Sequence, residues 1–201
     1  MHPPHPTLAV LAGGRSIRMG RPKSHLVLRG GPVLHDLLDR IAWPGPTLLV
    51  TAPGREHPPG WERFGREVAD PVEGEGPLRG LLTALGACET DLLVALTVDM
   101  PGVGREQVDW LVGELNGRPE ALGVMPRRRG GGEGRIEPFP SAYRRESAEV
   151  AREQLASGAR AVHSLSFRPR FVTPDAPADW PASTWTNLNG PGDVERFLRP
   201  R

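Results

Sequence analysis

A single cysteine, Cys88, is the chain's only thiol. One thiol permits neither an internal disulfide nor a multi-thiolate metal site, so Cys88 reads as a small buried packing residue. That usage suits a reducing, cytoplasmic setting. The six histidines show no metal-ligand spacing. Charge of one sign is also missing: 25 lysines and arginines stand against 24 acids, a net charge of +1. Such balance argues against nucleic acid as a partner, because its binders carry a basic surplus. It leaves room for one local basic site. No apolar run approaches the ~20 residues of a membrane span, and no membrane partner is expected. The opening MHPPHPT lacks the basic-then-apolar order of a secretory leader. No internal repeat or heptad register is present.

What is there is a chain of 201 residues, enough for a single domain that buries roughly 70% of its unfolded surface. TLAVLAG (Thr7 to Gly13), TLLVTA (Thr47 to Ala52), EVADP (Glu67 to Pro71), DLLVALTVDMP (Asp91 to Pro101) and ALGVMP (Ala121 to Pro126) are short apolar runs and read as buried strands. Between them, Pro32 to Ile41, Pro77 to Cys88 and Arg105 to Leu115 carry apolar residues at helical spacing. A further helix is expected over Glu146 to Gly158. Alternating strands and amphipathic helices predict an α/β fold. The expected architecture is a single-domain three-layer sandwich, a mostly parallel Rossmann-like sheet with helices on both faces. RRRGGGEGR (Arg127 to Arg135) reads as a loop, or as the tip of a hairpin. It is either a solvated turn or a basic flap over an anionic substrate.

The richest stretch is LAGGRSIRMGRPK, Leu11 to Lys23, at the carboxyl end of the first strand. In open α/β sheets ligands bind at that end. Glycines let backbone N–H groups turn toward an anion, and Arg15, Arg18 and Lys23 add charge-assisted donors. Two common phosphate loops fail here. Gly20 is followed by Arg-Pro before Lys23, which breaks the Walker spacing, and Gly13, Gly14 and Gly20 do not fit G-x-G-x-x-G.

GGxSxRMGxxK after a first strand resembles the nucleotidyltransferases, and among them the molybdenum cofactor guanylyltransferase family. Four further segments resemble that family in the same order: DPVEGEGPLRGLLTAL, VALTVDMP, EPFPSAY and WTNLNGPGDVERF. Two positions depart from its pattern. VTAPGRE (Val50 to Glu56) lacks the family's asparagine, and His25 stands where a small or aliphatic residue is expected.

The resemblance implies a nucleotide-diphospho-sugar transferase-like fold, with a nucleotide part over about 7–100 and an acceptor part over about 101–201. It implies transfer of GMP from GTP to molybdopterin, with pyrophosphate released and Mg²⁺ as cofactor. Transient contact with cofactor-synthesis proteins or acceptor molybdoenzymes would follow. Leu11, Ala12, Gly13, Gly14, Lys23, Asp70, Gly80 and Asp99 would bind the nucleotide. Arg18, Lys23 and Asp99 would be catalytic, Asp99 would hold the metal, and Asn187 and Asn189 would meet the acceptor. The chemistry needs no strong general base, since the attacking acceptor phosphate is already ionised; it needs positioning and charge neutralisation. Structural alternatives exist for four of these positions: a helix cap at Asp99, an Asp-Pro turn at Asp70, and turn chemistry at Asn187 and Asn189. A cytidylyltransferase, another NTP transferase or a non-catalytic nucleotide carrier are the competing functions.

Overall fold

The computed structural model describes residues 5–14, 22–129 and 134–199. The first strand, β1 (Thr7–Leu11), is buried along its whole length. A small hairpin, β2 (Val27–Leu28) with β3 (Gly31–Pro32), leads into α1 (Val33–Ile41). Val33, Leu34, Leu37, Leu38 and Ile41 of α1 are buried on one face, as their spacing predicts. The helix stops at Ala42, which takes the left-handed conformation (φ 46°, ψ 49°) and donates its N–H to Leu38 O. The chain then forms β4 (Thr47–Thr51) and β5 (Arg66–Ala69). Next come α2 (Pro77–Ala87), β6 (Leu92–Thr97) and α3 (Arg105–Asn116).

The second half is more irregular. β7 (Gly123–Val124) is followed by a hairpin of β8 (Arg127–Arg128) and β9 (Arg135–Ile136). Then come β10 (Ser141–Arg144), α4 (Ala148–Ala156), β11 (Phe171–Val172) and α5 (Pro191–Leu198).

Seven strands make the main sheet, in the order β11-β7-β10-β6-β1-β4-β5. β1 pairs in parallel with both β4 and β6, so the chain order reverses at β1. Only β10 runs against the rest, lying antiparallel between β6 and β7. α1 packs with α3, and α2 with α4. This is the expected three-layer α/β sandwich. Leu8, Ala9, Val10, Leu93, Val94, Ala95 and Leu96 are fully buried at its centre. Two apolar faces per strand explain why these strands show no polar alternation. Among the described residues no helix is long and apolar enough to cross a membrane.

Candidate active site

The reversal at β1 opens a crevice at the carboxyl ends of β1, β4, β5 and β6. A cavity of about 590 Å³ fills it. All of the predicted nucleotide residues come together on its wall: Leu11, Ala12, Gly13, Gly14, Lys23, Asp70, Gly80 and Asp99. Asn189 joins them from the far end of the chain. Asn187 does not line the cavity; it is exposed on the other side of buried Leu188. Arg18 and Arg15 lie outside the described residues.

The polar centre is built from three elements. Lys23 opens a 3₁₀ turn (Lys23–His25) and donates from Nζ to Asp99 Oδ2 at 2.6 Å and to Asn189 Oδ1 at 2.8 Å. Asp99 follows β6 directly. Its Oδ1 accepts the Thr97 hydroxyl at 2.6 Å, which fixes the carboxylate's rotation. Thr97 was not singled out in the sequence. It closes β6, and Asp99 stands two residues on, in the turn that follows the strand, so its hydroxyl meets the carboxylate across that turn. The helix-cap alternative for Asp99 does not hold: Gly104 caps α3.

Asn189 is held in place by backbone contacts. Leu188 N donates to Asp99 O at 2.9 Å, and the Asp193 carboxylate accepts the N–H groups of Asn189 and Gly190, both at 2.9 Å. Those N–H groups, Asn189 first, hold the Asp193 carboxyl below the usual range. A few residues upstream, Ser183 lies so close to Gly102 that a Cβ there would sit 1.9 Å from Ser183 O. Gly102 and Asp99 therefore clamp the segment of residues 183–188 at two points. Turn chemistry and site placement thus coincide at Asn189.

The other end of the cavity is acidic. Asp70 follows β5, and burial raises its pKa; a hydrogen bond from Thr83 and the nearby Arg79 act in the opposite sense. Its Oδ1 is sealed from solvent and has no hydrogen-bond partner among the described residues. Gly13 and Gly80 both face this carboxyl: a Cβ on either would lie 3.5 and 3.8 Å from Oδ2. Those are ordinary contacts, so glycine at Gly80 widens the pocket and is not required by the protein's own packing. Glu75, absent from the sequence reading, also lines the wall and is paired with Arg79 at 2.6 Å. A smaller cavity of about 240 Å³ adjoins at Ala12 and is lined by His25, Arg55 and Glu56. The departing residues of VTAPGRE and His25 thus meet in one place.

Among the described residues no three His, Cys, Asp or Glu side chains cluster as a metal cage. Asp99 is a single carboxylate on an open cavity wall. That donor set suits a hard cation held by one or two carboxylates and completed by substrate phosphates and water.

The profile of the MobA-like NTP transferase domain matches residues 8–169. A probable molybdenum cofactor guanylyltransferase of Mycobacterium avium is 35% identical over 202 residues, covering 96% of this chain and 94% of its own. One of Bacillus licheniformis is 27% identical over 199 residues, covering 94% of each. Among solved structures, molybdopterin-guanine dinucleotide biosynthesis protein A of Archaeoglobus fulgidus superposes with a TM-score of 0.78 at 22% identity, covering 96% of both chains. The same fold appears in 2-C-methyl-D-erythritol 4-phosphate cytidylyltransferase of Thermus thermophilus, with a TM-score of 0.67 at 20% identity over 96% of this chain and 97% of that one. The domain match covers the main sheet up to β10 and every residue of the cavity wall except Asn189, and the chain belongs to the MobA-like NTP transferase family.

Proposed function

We propose that this chain transfers GMP from GTP to molybdopterin, forming the guanine dinucleotide cofactor and releasing pyrophosphate. The observation that carries the reading is the union of Lys23, Asp99 and Asn189 on one wall of a nucleotide-sized cavity at the sheet's switch point. Relatives named as probable molybdenum cofactor guanylyltransferases support the choice of base and acceptor.

In this reading the glycine-rich turn after β1 receives the triphosphate, with Gly13 and Gly14 offering backbone donors. The base lies toward Asp70. Guanine presents two adjacent donors on one edge, and the Asp70 carboxylate on the cavity wall is the matching acceptor. An oxygen of the acceptor phosphate attacks the α-phosphorus of GTP. The new P–O bond forms as the bond to the β-phosphate oxygen breaks, and pyrophosphate leaves with the electron pair. Lys23 neutralises charge growing on that leaving group, with Arg18 assigned the same role from the sequence. Asn189 holds Lys23 on the acceptor side. Asp99, oriented by Thr97, would hold Mg²⁺. When bound, the ion would screen the phosphates and bridge nucleotide to protein. The nucleotide part over about 7–100 and the acceptor part over about 101–201 meet at Asp99, and the reaction is placed in the cytoplasm.

Thermal melts with GTP, CTP, ATP and UTP, each with and without Mg²⁺, test the reading. Ligand at about 100 times its Kd stabilises by about 2.7 kcal/mol. For a chain of this size that is a rise of roughly 5–11 °C. Mg²⁺-dependent selectivity for GTP is expected. Selectivity for CTP would redirect the reading to a cytidylyltransferase, and no shift with any nucleotide would overturn it.

A further inference from the structure

The arginine-rich hairpin β8–β9 stands at the acceptor side of the sheet. β7 runs parallel to β6, so its carboxyl end, which continues into Arg127 and Arg128, faces the same way as Asp99. The hairpin's arginines are not equivalent. Arg127 donates to the Thr173 hydroxyl at 2.9 Å, and Arg129 donates twice to Asp175 Oδ2, at 3.1 and 2.9 Å. Arg135 stands 3.7 Å from Glu137 Oε1. Arg128 makes no ion pair and no side-chain hydrogen bond among the described residues. Its guanidinium instead lies 5.9 Å from the centre of the Trp185 ring.

Trp185 is placed by the clamp described above. It sits between Ser183, pressed on Gly102, and Leu188, bonded to Asp99. Three residues of extended chain reach about 10 Å at most, so the Trp185 backbone lies within that distance of Leu188, whose N–H bonds Asp99 O. The indole is half-buried and backed by Trp180 at 5.4 Å, which is itself packed on Trp110 at 5.1 Å. A half-buried indole backed by further tryptophans and an exposed guanidinium thus lie side by side, on the segment that Leu188 ties to Asp99. Arginine over an indole is a ready site for a planar, electron-rich heterocycle, which stacks on either plane while the cation attracts its negative charge.

We propose that Arg128 and Trp185 form the shelf that holds the acceptor's bicyclic heterocycle while its phosphate reaches Lys23 and Asn189. The proposal rests on the reading of the site as a transferase for a pterin phosphate, and gives the Arg127–Arg135 hairpin a task. Both residues recognise substrate and neither touches the nucleotide.

The test has two arms. Tryptophan emission of the wild-type chain is titrated with 6-hydroxymethylpterin, and steady-state kinetics are run with molybdopterin and Mg²⁺·GTP. Quenching is expected in the wild type and its loss in Trp185→Leu; Trp185→Phe, which keeps a stacking ring, should bind pterin as the wild type does. Arg128→Ala, a change at an exposed site, should raise the acceptor KM about tenfold or more while the Kd for Mg²⁺·GTP stays unchanged. Undiminished quenching in Trp185→Leu, or an unchanged acceptor KM in Arg128→Ala, overturns the shelf. Failure of the wild type itself to bind GTP is a different result, and overturns the transferase reading first.

Discussion

Replacing Lys23 with alanine removes the one cation that joins the two halves of the cavity among the described residues. In the unliganded chain its Nζ bonds both Asp99 and Asn189. The Lys23 and Asp99 side chains are 18% and 16% exposed, so solvent screens the pair only in part. Removing the lysine leaves Asp99 Oδ2 on an open wall that water can reach. The loss to stability therefore falls between the small value of a surface pair and the 3–5 kcal/mol of a sealed one, about 1–2 kcal/mol. For a chain of this size the melting temperature drops by roughly 2–8 °C. The reaction loses more. A preorganised donor aimed at a leaving group contributes about 2–4 kcal/mol in the transition state, a fall in kcat/KM of roughly 30- to 1,000-fold. Pyrophosphate release, followed with a coupled assay alongside thermal melts, separates the two effects. A fall of only a few-fold in rate would place Lys23 outside the chemistry. A collapse of the fold would make it a structural residue instead.

Asp70→Asn should behave in the opposite way on stability. Burial raises the Asp70 pKa, so its contribution is complete below the unfolded value of about 4 and is lost as pH rises through the folded value. The variant should melt above the wild type at neutral pH, converge with it in acid, and lose GTP-induced stabilisation; melts across pH check all three. Gly102→Ala drives a Cβ into Ser183 O and should displace residues 183–188 at a cost of about 1–3 kcal/mol. Turnover should fall while GTP still raises the melting temperature, and unchanged turnover would show that the clamp is dispensable. Ala42→Gly relieves a left-handed alanine at the end of α1 and should stabilise by about 0.5–1 kcal/mol, read from denaturant midpoints; a loss of stability would refute the strain argument.

Where one element packs on both sides, its sequence was readable. β1, β4 and β6 are continuous apolar runs, and each ends where the cavity begins, so strand ends and site residues were found together. β10 was readable only as one arm of a hairpin between GVMP and IEPFPSAY, the pairing it makes with β7; its place beside β6 was not. Ser141–Arg144 is four residues long and preceded by Pro138 and Pro140, and its antiparallel insertion between β6 and β7 is a property of the assembled sheet. α5 was missed because Pro191–Leu198 is short and none of its residues is fully buried; Val194 and Phe197 only rest, half-buried, against the core. In the site, Leu11 to Gly14, Lys23 and Asp99 were visible because motif and strand end coincide. Asn189 and Asn187 looked alike in the sequence; only the buried side chain of Leu188 decides which faces Lys23. Glu75 and Trp185 carry no local signal, since their neighbours come from distant segments.

The clamp at Gly102 and Asp99 has a bearing on when the protein becomes active. The parallel core from β1 to β6 closes on segments made early in synthesis, and domains fold from the N-terminus as they emerge from the ribosome. A nascent chain exposed only as far as Arg170 would carry β1 to β10, but would have no β11, Trp185, Leu188 or Asn189. GTP would find Lys23 and Asp99 without the residue that positions them for an acceptor. The Asn189 contact with Lys23 is therefore made only once the late segment docks on Gly102 and Asp99.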